Sequence, residues 1–420
     1  MSSERGSALI LALIMLTFLL VLGGALLTSV TLDVAIGDNF RSETQLLYLA
    51  ESGIDEACRF LRTSASTPSQ LLEAAAAADG VLSSSRDLET LLNDTDDIPL
   101  LNGGDRTTGK LMLDTLGRPS GRYFVFLRND SADGIASLSD SNQVLTLLSI
   151  AVIGNSRKVL EVTVAKWKFP ALPASLVLDG SPVLFTPAIS GFGISGIDPT
   201  FQGGDRYAIG VLTGIDRSSV LASIPDAAEL WYPGIGSATP PPADIGVVDG
   251  LLGRRLSTVP GLERIVDEVS ALASDVTNPG WNASTTLGNV GNASDFRVVV
   301  VNGDCELGTG TGYGILLVRG NLRMSGSFLW NGLILIIGQG TLGWSGAGSG
   351  VVAGSVFAAR SRDNDRSPAN ELGTMRVVPG AVTVDLGGSG SRFQLNNPGA
   401  ASEERTYQKL PFVPIARREY

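Results

Sequence analysis

ALILALIMLTFLLVLGGALL, residues 8–27, is a run of twenty residues without a charge, and its length decides the reading. A helix rises about 1.5 Å per residue, so twenty residues cross a hydrocarbon core of about 30 Å. A cleaved secretory signal is the competing reading. Its apolar core runs only about 7 to 15 residues before a small-residue cleavage site, whereas here the helical pattern continues past Thr28. Arg5 is the only basic residue ahead of the run, which favours a cytoplasmic N-terminus by the positive-inside rule.

Beyond Thr28 the pattern turns amphipathic. Phe40, Leu47, Ala50, Ile54, Ala57, Cys58 and Leu61 recur at helical spacings and share a face. Glu51, Asp55, Arg59 and Arg62 fall on another, with Asp55 and Arg59 spaced for an i,i+4 pair. A helix over 7–62 is on the order of 80 Å long. Its first half suits lipid, and its second half must pack on a soluble domain.

The run Arg5-Gly6-Ser7-Ala8-Leu9, the apolar segment and then Gln45-Leu46-Leu47-Tyr48-Leu49-Ala50-Glu51-Ser52-Gly53-Ile54 resemble the start of PilX-type minor pilins of type IV pili. The resemblance covers about the first 60 residues. It implies that a prepilin peptidase cuts after Gly6, leaving Ser7 as the new N-terminus. It also implies partners: other pilins met through the N-terminal helix, and the bacterial inner membrane before assembly. Leu11, Gly23, Gly24, Ala50, Glu51 and Gly53 are the helix-packing candidates. Leu11 departs from the major pilins, which carry a glutamate five residues after the cut. A buried carboxylate in lipid needs a partner, so leucine there suits a subunit at or near the tip. K-type pseudopilins of type II secretion also lack this glutamate and are the alternative.

Composition narrows the chemistry. The formal net charge of −11 and a pI near 4.7 argue against a nucleic-acid partner, which needs a basic face. Histidine is absent, removing the commonest general base and metal ligand. No nucleophile elbow, zinc spacing or carboxylate-pair motif is present, so the expectation is a non-enzymatic protein without cofactor or metal. Cys58 and Cys305 form neither CxxC nor metal cluster and read as two separate small apolar residues rather than a disulfide.

The soluble part reads in regions. Between 63 and about 120 an apolar helical fragment covers 71–92, followed by the acidic cluster Asp94, Asp96 and Asp97, a solvated turn rather than a calcium loop. A strand over 122–127, and strands 145–153 and 159–164 around Gly154-Asn155-Ser156, predict a β-hairpin. The stretch 149–160 also resembles the hairpin that follows the long helix in PilX-like chains. Pro170 and Pro173 mark a domain edge. Asp198 and Asp205 near Gly203-Gly204 read as turns rather than a metal site. Pro240, Pro241 and Pro242 mark an exposed loop, and Leu262, Ile265, Val266, Val269 and Leu272 one amphipathic helix.

From 303 to 350, 14 glycines separate short β-prone runs at 315–318, 322–324, 328–330 and 333–337, implying tight repeated turns. The spacing resembles stacked coils of a short β-solenoid, with a compact β-sandwich as rival. The unalternating run 333–337 suits a strand buried on both faces. Residues 308–314, GTGTGYG, lack the lysine and hydroxyl of a phosphate loop and read as an exposed turn. Trp231, Tyr232, Trp330 and Trp344 read as core rather than a ligand surface.

The predicted fold is α+β: a long pilin-like helix, its first half transmembrane, on a small antiparallel sheet, then a Gly-rich all-β C-terminal region. The expected division is a leader at 1–6, the helix at 7–62, a head at 63–168, a mixed linker and extension at 169–300 and a Gly-rich β domain at 301–420. The expected function is a structural minor pilin acting in pilus initiation or tip display, with a role in adhesion. Beside the pseudopilin stands a third reading, a single-span envelope protein with an unidentified binding domain.

Overall fold

The computed structural model describes residues 4–64, 66–76, 80–93, 97–101, 109–113, 119–187, 193–198, 204–235, 243–344, 348–387, 392–397, 406, 410 and 412–420. Asp94, Asp96, Gly203 and the prolines at 240–242 lie outside them.

The chain opens with α1 (Glu4–Thr63), α2 (Pro68–Ala75), α3 (Leu88–Asn93), β1 (Lys110–Leu113), β2 (Pro119–Asn129), β3 (Val144–Ile153) and β4 (Ser156–Lys166). It continues through β5 (Ala174–Asp179), β6 (Val183–Thr186), β7 (Ile194–Ser195), β8 (Tyr207–Val211), α4 (Gly214–Ser223), β9 (Ile245–Val247), α5 (Asp249–Ser257) and α6 (Val259–Ala271). There follow β10 (Asp275–Thr277), β11 (Ser284–Leu287), β12 (Arg297–Val301), β13 (Asp304–Leu307), β14 (Gly310–Val318), β15 (Asn321–Met324), β16 (Phe328–Ile337) and β17 (Thr341–Trp344). Last come β18 (Ser349–Arg362), β19 (Met375–Gly380), β20 (Val382–Asp385), β21 (Arg392–Asn396) and β22 (Phe412–Glu419). Contacts divide the chain into two units, Met1–Lys166 with Pro411–Tyr420, and Trp167–Leu410.

The first unit is a helix on an antiparallel sheet of order β1-β2-β3-β4-β22, the arrangement the pilin resemblance implies. β3 and β4 meet in a hairpin whose two-residue turn starts at Gly154, φ +57°, a left-handed conformation that costs glycine nothing. Strand alternation sends Tyr123, Val125 and Leu127 toward α1, and Phe124 and Phe126 to the other face, where Leu88 and Leu91 of α3 cover them. The apolar stretch 71–92 is two short helices instead of one. A capping box between Thr67 and Gln70 starts α2. Gly80, at φ +71°, and the Ser83 and Ser85 hydroxyls, which accept from backbone N–H groups, prevent its continuation. Asp97 is buried rather than solvated, its carboxylate accepting from the Ser83 N–H at 3.0 Å.

The second unit contains two parallel ladders. The smaller has the order β11-β13-β15-β17-β20-β6. The larger has the spine β10-β12-β14-β16-β18-β5-β8-β9, with β19 and β21 also on β18 and β7 on β21. From β12 to β18 the chain alternates between the ladders, and their facing side chains form one core: Leu316, Val318, Ile334 and Ile336 from the larger, Leu307, Leu322, Met324 and Trp344 from the smaller. The residues between, such as Leu317 and Leu335, point the other way and are equally buried. α6 packs on β12, β16 and β18, burying Leu262, Ile265, Val266 and Val269. Tyr232, Trp330 and Trp344 lie in the core, with Trp231 packed at its margin.

Three sequence expectations differ from this arrangement. Residues 169–300 and 301–410 belong to one unit, because β5 pairs with β18 and β6 with β20 in parallel register. Residues 412–419 return to the first unit's sheet as β22. Pairing between strands so far apart leaves no local signal. The stretch 308–314 is mostly strand β14 and not an exposed turn. Several glycines also sit within strands: Gly314, Gly332 and Gly354 occupy one column across β14, β16 and β18. A Cβ on each would collide with the carbonyl oxygen of the preceding strand in the ladder, that of Arg297, Gly314 and Gly332 respectively.

β5 ends in Asp179, which is fully buried with neither carboxylate oxygen hydrogen-bonded among the described residues. Burial, and then the charge of Asp249, push its carboxyl up to about 8. A folded-state value raised above the unfolded one stabilises the fold at low pH, and that stability is lost as pH rises through 8. Thermal stability is expected to fall as pH rises from about 4 to about 8, by up to ~1.4 kcal/mol per pH unit. Asp179→Asn should flatten that slope; an unchanged slope would place the titration elsewhere.

Candidate functional site: the N-terminal helix

Between residues 13 and 40 every side chain of α1 is exposed, from Leu13 to Phe40 at 73%. This is one helix long and apolar enough to cross a membrane by length and composition. Three of its hydroxyls are satisfied internally: Thr17, Thr28 and Thr31 donate to carbonyls one turn earlier, at 2.8–3.1 Å. The uncharged stretch ends at Leu32, and Asp33, Asp38 and Asn39 stand exposed beyond it. Gly23 and Gly24 lie in this half, with open space where a Cβ would stand. Gly6, Ser7 and Leu11 fall in the first turns of α1, and their side chains lie outside the described residues.

The second half packs on the chain's own sheet. Leu46, Leu49, Ala50, Ile54, Ala57 and Leu61 are buried, each leucine-sized side chain contributing about 1.5–3 kcal/mol. The face is therefore rotated from the predicted one: Phe40 is outside it, Leu47 and Cys58 sit at its edge, and Leu46 and Leu49 replace them. Gly53 lets the helix approach, since a Cβ would meet Ser149 Oγ at 2.5 Å, Tyr123 Cδ2 at 2.9 Å and Val125 Cγ2 at 3.1 Å.

Three acidic residues strap the helix down. Lys158 Nζ lies 3.3 Å from Glu43. Arg417 Nη1 of β22 donates to Glu51 at 2.6 Å, and Nη2 to Glu419 at 2.7 Å. Glu56 accepts from Lys110, Tyr123 and Arg59, the last at 3.3 Å. Arg59 thus reaches Glu56 at i,i+3 rather than the predicted Asp55. The structure brings Ala50, Glu51 and Gly53 together at the helix–sheet contact, and leaves Gly23 and Gly24 on the uncovered stretch. The sequence reading overlooked Glu43 and Glu56. Their carboxylates were visible, but Lys110, Lys158 and Arg417 come from distant strands.

Elsewhere the Asp205 carboxylate accepts from the Asp198 N–H at 2.9 Å, a turn bond. Among the described residues no group of three or more Asp, Glu or Cys has metal-site geometry. Both cysteines are free thiols. Burial, and then Glu306 and Asp304, push Cys305 up to about 12, so it behaves as a small apolar core residue.

Residues 5–55 match the PilX N-terminal family. No curated protein matches the chain. Among solved structures the chain is similar to the competence-associated pilin ComZ from Thermus thermophilus, at 13% identity, over 90% of this chain and 97% of that one, with a TM-score of 0.22. A likeness at that score supports no statement about fold or function. The likeness to PilX-type pilins thus rests on the N-terminal segment, residues 5–55.

Proposed function

We propose that this protein is a structural minor pilin that enters a type IV pilus, or the complex that initiates one, by burying the apolar half of α1 among neighbouring helices. The observation that carries the reading is the contrast along one helix. Residues 46–61 pack on the chain's own sheet, while 13–40 are covered by nothing among the described residues. The apolar part of that stretch, as far as Leu32, needs lipid before assembly and protein after it. Prepilin peptidase cuts between Gly6 and Ser7, and the helix anchors the protein in the inner membrane until it is extracted. Gly23, Gly24 and Ala25 permit close helix approach or bending.

The unit Trp167–Leu410 is the displayed part, and we read it as a short β-solenoid serving adhesion or tip display. Support comes from the alternation of strands between two parallel ladders around one core. Leu11 in place of a glutamate supports a position at or near the tip, and supports equally the second reading, a K-type pseudopilin of type II secretion.

The test is the N-terminal residue and the membrane fraction of the protein, made with and without prepilin peptidase. A peptidase-dependent start at Ser7 is expected. An intact Met1, or cleavage beyond Leu27, overturns the reading.

A further inference from the structure

The strands of the larger parallel ladder end together at one edge of the second unit, and polar side chains collect there. Thr277, Val301 and Val318 are in register across β10, β12 and β14. The next residues, Asn278, Asn302 and Arg319, continue that column, with the Asn302 N–H donating to the Thr277 carbonyl and the Arg319 N–H to that of Val301, both at 2.9 Å. With Arg362, at the end of β18, they line a cleft of about 420 Å³ whose remaining wall is 369–372. Clefts of roughly 300–1,000 Å³ are the size that holds small ligands.

The wall is held firmly in place. Gln339 Nε2 donates to the Asp363 and Leu372 carbonyls at 3.0 and 3.1 Å, and Arg362 Nη1 to that of Gly373 at 3.0 Å. Arg366 ties the Glu371 carbonyl to the Asp304 carboxylate, both at 2.8 Å. A cleft fixed in this way binds without first ordering its own loop.

Its chemistry is polar with positive charge at the floor. Arg319 and Arg362 share a single carboxylate, Glu263, and Glu371 is exposed on the wall. Arg319, with only 10% of its side chain exposed, is bonded through Nη2 alone among the described residues, and its Nε has no partner. Asn302 donates to Asn278 at 2.8 Å, leaving the Asn278 amide N–H groups and the Asn302 carbonyl unspent. Only Ala369 and Leu372 are apolar. A guanidinium with donors in reserve matches a carboxylate, and a pair of amides with both donor and acceptor matches ring hydroxyls.

We propose that this cleft binds an acidic sugar, a uronic acid unit of a polysaccharide, with its carboxylate toward Arg319 and its hydroxyls on Asn278 and Asn302. The site stands independently of entry into a pilus.

Titration of the full-length chain in detergent with glucuronate, glucose and acetate tests it. Glucuronate is expected to bind saturably, with glucose and acetate at least about tenfold weaker. Asn302→Asp keeps the shape, sets a carboxylate beside the sugar and should cost at least about tenfold. Ala369→Trp, at an exposed position, fills the cleft from its wall and should abolish binding. It serves as the check should Asn302→Asp fail to fold. No saturable glucuronate binding by the folded protein overturns the proposal. So does glucose binding as well as glucuronate, or full binding by either variant.

Discussion

Gly332→Val is expected to unfold the second unit, lowering its stability by more than about 4 kcal/mol. Gly332 lies within β16 at φ +133°, a conformation that β-branched residues avoid. Relaxing that angle is not enough, because a Cβ there meets the Gly314 carbonyl oxygen. That atom is backbone of the neighbouring strand, which cannot rotate away as a side chain can. The same column repeats the problem at Gly354, whose Cβ would meet the Gly332 carbonyl, so a shift made for one strand is passed to the next. Trp330, buried to 1% exposure, donates its indole N–H to the Gly314 carbonyl at 3.3 Å, and moving that carbonyl costs its packing too. Gly343→Ala, with no atom within 4 Å of the new Cβ, should stay within about 0.5 kcal/mol. Urea unfolding of the two variants measures the contrast. Equal midpoints would show that the stack yields where the structure says it cannot.

Glu263→Leu should cost about 3–5 kcal/mol, because one carboxylate of α6 receives two guanidinium groups and a hydroxyl. Arg362 donates through Nε at 3.3 Å and Nη2 at 2.7 Å, Arg319 through Nη2, and Ser361 Oγ at 2.8 Å. Burial on its own pushes the Glu263 carboxyl up, but the hydrogen bond from Arg362, the Arg319 charge and the Ser361 hydroxyl outweigh it and hold the group below the usual carboxylate range. A depressed folded value gives stability that is present above the unfolded value and lost as pH falls through the folded one. Glu263 therefore weakens the second unit on the acid side, where Asp179 strengthens it, and the two together predict a stability maximum between them. The loss should be recovered in large part by replacing Arg319 and Arg362 with methionine in the same chain, since most of the cost is buried charge left without a partner. Thermal melts of the single and triple variants decide this. A triple variant no more stable than the single one would mean that packing, not charge, was lost.

What could be read in advance divides by distance along the chain. α1 was legible because its apolar run and its i,i+3 and i,i+4 spacing are local, and the β3–β4 hairpin because a two-residue Gly154-Asn155 turn joins adjacent strands. The rotation of the buried face was not, because whether Phe40 or Leu46 meets the sheet depends on where Gly53 touches Tyr123 and Ser149. α6 stood out by its periodicity. Its partners did not, since Glu263 answers to Arg362, 99 positions later. Glycine misled in a specific way: its abundance implied turns, but at Gly314 and Gly332 it serves the close approach of one strand to the next. The straps on α1 were invisible for the same reason as β22, since Arg417 and Glu51 are 366 positions apart.

The pairing of Lys166 with Phe412 has a mechanical meaning. The chain leaves the first unit at the end of β4 and re-enters it at the start of β22, so the second unit hangs from two adjacent, hydrogen-bonded strands rather than from one flexible tether. A pull on the second unit is shared by both links. Sliding β4 and β22 past β3 would require many ladder bonds to fail together. A break in the backbone within the second unit leaves each fragment still attached to the sheet by its own strand. An anchorage of this kind suits a protein that has to hold a load.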